Sequence, residues 1–473
     1  YRVAPYIQDL TASSATIAWA AHENAAATVS VPGHDVSLVQ DAPELACELA
    51  YHLLEYQDLA EARFPPYFQR VHLDGLEAGQ EYTVEVLQGG ERREVTLRTP
   101  SADSVRFAVY ADSETEPESH GVHVNWPSVE GPEERVYLVD QATGYDANLA
   151  AIQAASHDFV AIAGDLVQSG GEQRDWDSFW IHNESLAAHM PVVPALGNHD
   201  YYGGPGELGR YGGTGAVRAL GKFQRYFARP QYYRFDSGPI AMLVVDANNA
   251  GDERSDTDTN WYLEGVAPSL AAGSPQRQWL EEQLAAAQAE KAFTFVMFHV
   301  APYTSGYHGR EPGVGEGKDF ASGLPLQAFT ELFMRYGVDA VFSGHDEMYE
   351  RSVVEGLEHL PDGTTAAHTI QFIEVGIGGD GLRGPTAAVA NPAQQFLAHT
   401  DAPEVWSEEG VLLDGGKHYG HLDVQVSRRE DGAWQAYLRP TYVFPVMNTS
   451  GALERFETRH YDDELLLENP RVD

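Results

Sequence analysis

The sequence is nearly without cysteine. Cys47 is the only one, so no disulfide closes within the chain and a cysteine-based zinc site is excluded. Lysine is almost as scarce: Lys222, Lys291, Lys318 and Lys417 are all there are, and arginine carries most of the positive charge. The formal net charge is −41, so the chain lacks the basic face that neutralises phosphates along a nucleic acid, and general nucleic-acid binding is not expected. No apolar run is long enough to cross a bilayer as a helix, so no membrane span is expected. Internal repeats and low-complexity tracts are absent as well. So acidic a surface repels itself at low ionic strength and is screened at high ionic strength, which suits a saline or cation-rich setting. The chain begins at Tyr1 without methionine, as after removal of a leader, and a secreted or periplasmic location is expected.

What is present is enough for two domains, because 473 residues exceed what one core usually holds. Residues 1–99 alternate in short runs, as in Ser14-Ala15-Thr16-Ile17-Ala18-Trp19 and Tyr82-Thr83-Val84-Glu85-Val86-Leu87, with a hairpin signal at Gln88-Gly89-Gly90-Glu91. This predicts a small β-sandwich, followed by the linker Thr99-Pro100-Ser101. From residue 105 strands and helices alternate. Strands are expected at 105–111, 158–163, 192–196, 232–236, 240–246, 292–298, 340–343, 369–375, 421–426 and 434–438. Helices are expected at 145–156, 173–189, 275–290 and 325–336. The mixture of parallel units and hairpins predicts two packed sheets flanked by helices, an α/β architecture, over 104–445. Loop-rich insertions at 113–143, 247–274 and 302–324 are placed to wall a site. The acidic segment 446–473 is expected to wrap the surface as a tail.

Five apolar runs each end in a residue that can hold a metal ion: Asp112-Ser113-Glu114, Gly164-Asp165, Gly197-Asn198-His199-Asp200, His299, and Gly344-His345-Asp346-Glu347. In open α/β sheets reactive groups collect at such strand ends. Two divalent ions about 3.5–4 Å apart can clamp a phosphoryl group, provided a carboxylate bridges them and each has further ligands. Asp165 suits the bridge. Asn198, His299 and His345 offer an amide oxygen and two imidazoles, a set for zinc, manganese or iron. Asp112, Glu114 and Glu347 offer three carboxylates, a set for a hard cation: calcium, magnesium, manganese or ferric iron.

The order of these five motifs resembles the signature of calcineurin-like metallophosphoesterases. The N-terminal β-domain, Ser274-Pro275-Gln276-Arg277-Gln278-Trp279-Leu280 and Tyr349-Glu350-Arg351 narrow the resemblance to the purple-acid-phosphatase-like branch, with its fibronectin-like first domain. The resemblance implies a four-layer αββα sandwich. It also implies a dinuclear metal centre that hydrolyses small phosphate monoesters by direct attack of a metal-activated hydroxide, with no phosphoenzyme. Phosphodiester hydrolysis on the same core is the alternative, and a metal-stabilised binding protein of little turnover is another. By the same resemblance His199 acts on the transition state with Asp200 orienting its ring, and His308 stands on the substrate side. Arg310 is positioned to contact phosphate bidentately. His418 and His421 are read as structural. The sequence departs from the family pattern where Glu114 and Glu347 replace histidines of one metal site. Gln168 stands where purple acid phosphatases have tyrosine, so no tyrosinate-to-iron absorption band is expected.

Overall fold

The computed structural model describes residues 1–34, 36–40, 43–52, 55, 64–127, 134–204, 213–250, 263, 265–313, 315–398 and 400–469. The first hundred residues form two four-stranded sheets. One has the order Val3–Gln8, Ser14–Ala21, Tyr67–Asp74, Glu44–Leu45; the other has Val36–Gln40, Ala27–Val31, Glu81–Gln88, Glu91–Arg98. The alternating residues face inward, and Ile7, Trp19, Val29, Val84, Val86 and Val95 make one core between the sheets. The Trp19 indole N–H donates to Gln88 Oε1 at 2.7 Å, so this large ring is buried without an orphaned donor.

Beyond the linker two seven-stranded sheets pack face to face. In the first, Phe159–Ile162 runs parallel to Ser104–Tyr110 on one side and to Val192–Pro194 on the other. In the second, Ile240–Val244, Phe293–Val300, Ala340–Gly344 and Thr365–Val375 are parallel neighbours. The apolar runs read as strands are buried on both faces, as parallel strands covered by a second sheet and by helices must be. Phe107, Phe159, Phe295 and Phe342 meet between the sheets. Helices Gln141–Ala154, Gln173–Ala187 and Gly213–Phe227 cover the first sheet, and Pro275–Glu290 with Thr330–Arg335 covers the second. The layers are therefore helix, sheet, sheet, helix. Ser274 caps Pro275–Glu290 by accepting from the Arg277 N–H, with proline in the first turn where its missing donor costs nothing.

Two expectations need correction. The described part of the tail, through residue 469, does not wrap the surface: Leu453–His460 and Leu465–Asn469 both pair with Trp434–Met447 and complete the first sheet. Gly420–Arg428 pairs along one edge of Trp434–Met447, and the tail strands take its other edge. Helix Gly213–Phe227 was not foreseen in sequence, because Gly213, Gly215 and Gly221 interrupt its pattern. Its face of Ala216, Phe223, Tyr226 and Phe227 nevertheless joins the first sheet to the N-terminal domain, where the Tyr6 hydroxyl donates to the Tyr226 carbonyl at 2.6 Å. Of the three insertions, much of 247–274 lies outside the described residues, as do 128–133.

Candidate metal centre

Each motif residue sits at or just past the carboxyl end of a strand: Asp112 after Ser104–Tyr110, Asp165 after Phe159–Ile162, Asn198 after Val192–Pro194, His299 in Phe293–Val300, and His345 after Ala340–Gly344. The turns there are strained. Asp112, Glu114, Asp165, His345 and Glu347 have φ of 58°, 36°, 53°, 82° and 52°, a region non-glycine residues seldom occupy. Two glycines make the approach possible. A Cβ on Gly197 would lie 2.1 Å from Asp165 Oδ1, and one on Gly164 would lie 2.7 Å from the His299 ring.

Four side chains converge on one point. His299 Nε2 is 2.8 Å from Asp165 Oδ2, 3.1 Å from Asn198 Oδ1 and 3.1 Å from His345 Nδ1. The outer nitrogens are already assigned, His299 Nδ1 to the Ala163 carbonyl at 2.9 Å and His345 Nε2 to the Ala321 carbonyl at 3.0 Å. Their inner nitrogens thus face the carboxylate and the amide oxygen. The two imidazoles differ: burial pushes the His299 imidazolium down, yet the Asp165 carboxylate outweighs it and raises its pKa to about 9, whereas burial and the neighbouring His308 and His299 hold His345 well below the usual histidine range. Two imidazoles, an amide oxygen and a carboxylate, oriented by carbonyls behind them, fit a borderline cation such as zinc, manganese or iron.

Beside this point lies a second group. Glu114 lies within reach of Asp165 and His199, and also of Glu347 and Asp380. Burial, then the neighbouring carboxylates, push Glu114 and Glu347 well above the usual carboxylate range. Arg383 answers part of that charge with a contact of 2.5 Å to Glu347. This oxygen-rich donor set fits a hard cation. Asp112 stands between the groups, its oxygens accepting the His345 N–H and lying 3.9 Å from His299 Nε2.

The other expected residues divide. The His199 ring faces the cleft, with Nε2 3.1 Å from Glu114 Oε1. Asp200 does not orient that ring. Its carboxylate accepts the backbone N–H groups of Asp165, Leu166 and Gly197 at 3.0, 3.0 and 2.8 Å, fixing the turn that carries Asp165. The His199 ring is held by the Gln168 carbonyl, 3.0 Å from Nδ1, and by the Tyr202 ring, tilted against it at 4.1 Å. His308 stacks on His345 at 3.6 Å, and its Nδ1 meets Asp319 at 2.6 Å. Arg310 is turned away: its guanidinium lies 3.3 Å from the Tyr307 ring centre, its Nε donates to the Tyr307 carbonyl, and it is not among the cleft-lining residues. Stacking on that neighbouring ring holds it there, and Arg383 is the guanidinium lining the cleft. His418 and His421 are buried in packing, His421 against Asn148 and His418 against Tyr137. Sequence reasoning missed Asp319, Tyr202, Asp380 and Arg383; the last two lie in the glycine-rich run 376–384, whose reversals were the only signal. The cleft encloses about 590 Å³, with Tyr202, Tyr307 and Phe320 on its walls.

A fold of two sheets with these strand-end ligands defines a metallophosphoesterase architecture. Residues 106–348, just over half of the chain, match the family model described as calcineurin-like phosphoesterase, and the chain belongs to that family. An uncharacterised protein of Mycobacterium tuberculosis is 25% identical over 354 residues, covering 68% of this chain and 59% of the relative. Purple acid phosphatase 22 of Arabidopsis thaliana is 27% identical over 206 residues, 43% of this chain and 41% of the relative. The chain thus spans well under two thirds of these relatives. The solved structure of purple acid phosphatase PPD1 from yellow lupin seeds shares the fold, with a TM-score of 0.56 at 17% identity, over 96% of this chain and 74% of that one.

Proposed function

We propose that this chain hydrolyses phosphate monoesters at a two-cation centre, by in-line attack of water on phosphorus and without a phosphoenzyme. The observation that carries the reading is the shared position of Asp165 and Glu114: the ligand group Asp165–His299–His345 and the carboxylate group Glu114–Glu347–Asp380 adjoin, with Glu114 and Asp165 within reach of each other. Cations bound there supply Lewis acidity and lower the pKa of water. The chain's own groups do the rest. Asp165, Asn198, His299 and His345 would hold the softer ion, and Asp112, Glu114 and Glu347 would hold the harder one. His199 offers Nε2 to the phosphoryl or leaving-group oxygen, because its Nδ1 is committed to the Gln168 carbonyl. His308, buttressed by Asp319 and stacked on His345, also lines the cleft and would orient the bound ester. The name of the Arabidopsis relative, purple acid phosphatase, supports the monoester choice.

Diester hydrolysis is the second reading, favoured by the three aromatic walls Tyr202, Tyr307 and Phe320, which suit a second organic group. Rates with aryl phosphate monoesters and diesters, under several added metals, test both. Faster monoester turnover supports the first reading, faster diester turnover the second, and no turnover with any metal leaves a metal-stabilised binding protein.

A further inference from the structure

The carboxylate group has a member that the five motifs do not contain. Loop 376–384 is pinned along the floor of the site. The N–H groups of Gly379 and Asp380 donate to the Asp112 carbonyl at 3.0 and 2.8 Å, and that of Arg383 donates to the Glu347 carbonyl at 2.9 Å. A Cβ on Gly381 would stand 1.7 Å from Glu347 Oε2, so only glycine lets the loop lie this close. Its φ of 68° suits glycine as well. The loop therefore holds Asp380 so that ligand oxygens of Glu114, Glu347 and Asp380 lie within 4.8 Å of one another. The Gln141 amide also donates to Asp380.

A second, independent observation points to the same place. Tyr419 is wholly buried, its ring packed edge-on to Tyr137 at 5.4 Å and against Gly144, and its hydroxyl has no hydrogen-bond partner. Its place in the fold ties it to the same loop: the neighbouring Gly420 N–H donates to the Ile377 carbonyl at 2.7 Å, and the ring lies on Gly144 of the helix whose Gln141 amide holds Asp380. Asp380 and then Glu347 are the carboxylates that bear on the hydroxyl. Leaving a buried hydroxyl unpaired costs about 1–3 kcal/mol, and buried carboxylates crowded together repel one another. A cation with oxygen ligands relieves both costs at once. Two cationic side chains bear on Glu347, Arg383 by contact and Lys417 through space.

We propose that Asp380 is a ligand of the carboxylate cation site together with Glu114 and Glu347, that the Tyr419 oxygen faces the same ion, and that this ion is hard, such as Ca²⁺ or Mn²⁺. The inference rests on the two-cation reading and adds to it a ligand from a different loop.

The test uses the full chain, stripped with chelator and dialysed, titrated calorimetrically in separate runs with Ca²⁺ alone, with Mn²⁺ alone and with Zn²⁺ alone. Asp380→Asn should weaken Ca²⁺ binding about 10-fold to 100-fold, the range for disturbing a metal site, while Zn²⁺ uptake at His299 and His345 stays within about twofold. Tyr419→Phe should weaken Ca²⁺ by about fivefold or more and leave Zn²⁺ unchanged. Thermal unfolding in chelator verifies that each variant folds; if Asp380→Asn does not, Tyr419→Phe decides. A Ca²⁺ affinity within about twofold of the parent in a folded variant overturns the inference, as does a parent chain that takes up neither Ca²⁺ nor Mn²⁺. Ester hydrolysis with cation binding indifferent to Asp380 would refute this inference alone. Asp380-dependent Ca²⁺ binding with no ester hydrolysis would refute the proposed function alone.

Discussion

Replacing His199 by alanine separates binding from chemistry at this centre. The His199 backbone N–H donates to Asp165 Oδ1 at 2.7 Å, and alanine keeps that bond. The turn that carries the Asp165 carboxylate is held from behind by Asp200, and alanine keeps that too. What is lost is one ring. Its Nδ1 side is fastened to the Gln168 carbonyl at 3.0 Å, the Tyr202 ring lies against it at a tilt, and Nε2, 3.1 Å from Glu114 Oε1, is the nitrogen on the cleft side. The ring side chain is 21% exposed, so its removal opens no sealed cavity and should cost about 1 kcal/mol of stability or less. Loss of one donor aimed at developing charge typically costs about 2.7–4 kcal/mol, a fall of about 10²–10³ in kcat. KM should move little, because the interaction strengthens in the transition state. Steady-state kinetics on an aryl phosphate, with elemental analysis of the same preparation, reads both quantities. His199→Gln, which retains an N–H of shorter reach, should recover part of the rate. A fall in kcat of less than about tenfold, or loss of metal in step with loss of rate, would refute the role given to this ring.

Asp165→Asn should abolish turnover and reduce the content of both metals, since a neutral amide cannot hold two cations; near-normal rate with full metal content would remove Asp165 from the bridge. Glu114→His with Glu347→His should shift the carboxylate site from calcium or magnesium toward zinc, read by competitive metal uptake; unchanged preference would show that these two residues do not select the ion. Away from the centre, Asp423 binds Arg106 at 2.6 and 3.0 Å, His157 at 3.1 Å and Arg439 at 3.0 Å. Burial pushes its carboxyl up, but His157 and Arg106 outweigh that and hold it well below the usual range. A depressed folded-state pKa contributes stability that is fully present above the unfolded value, about 3.9, and lost as pH falls through the folded one. Asp423→Asn should therefore destabilise the chain by about 2–4 kcal/mol near neutral pH, less than a fully buried pair because both arginines are partly exposed. The gap in Tm between parent and variant should narrow below about pH 4; a gap independent of pH would contradict the ionised-Asp423 account.

The strand-end motifs were legible because two physical signals coincide in them. A buried strand writes itself as a short apolar run, and a ligand at its end follows within a few residues, as in Ala161-Ile162-Ala163-Gly164-Asp165. The layers followed from the same runs. Other parts were hidden where the decisive contact is distant in sequence. Asp380 and Arg383 lie in a glycine-rich run that reads as a plain turn, and only its pinning to Asp112 and Glu347 makes it part of the site. Asp200 was assigned to the adjacent His199 because sequence shows neighbours, whereas its carboxylate reaches back to the turn at Asp165. Arg310 was expected at the phosphate on residue type alone, and the nearby ring of Tyr307 captures it. The strand Leu453–His460 carries mostly exposed side chains, half of them carboxylates and arginines, and Leu465–Asn469 is a five-residue run of three leucines without alternation, so neither reads as a strand in sequence.

The central claim is that two cations, held by Asp165, Asn198, His299 and His345 on one side and by the carboxylates on the other, do the chemistry. Its most direct test is metal stoichiometry followed through removal and return, with phosphate release from an aryl monoester measured on each sample. The account predicts about two equivalents of metal per chain in the active protein, loss of activity on chelation, and recovery only when a borderline ion and a hard ion are both restored. Undiminished hydrolysis by a metal-free preparation, or full recovery with a single equivalent of one ion, would contradict it.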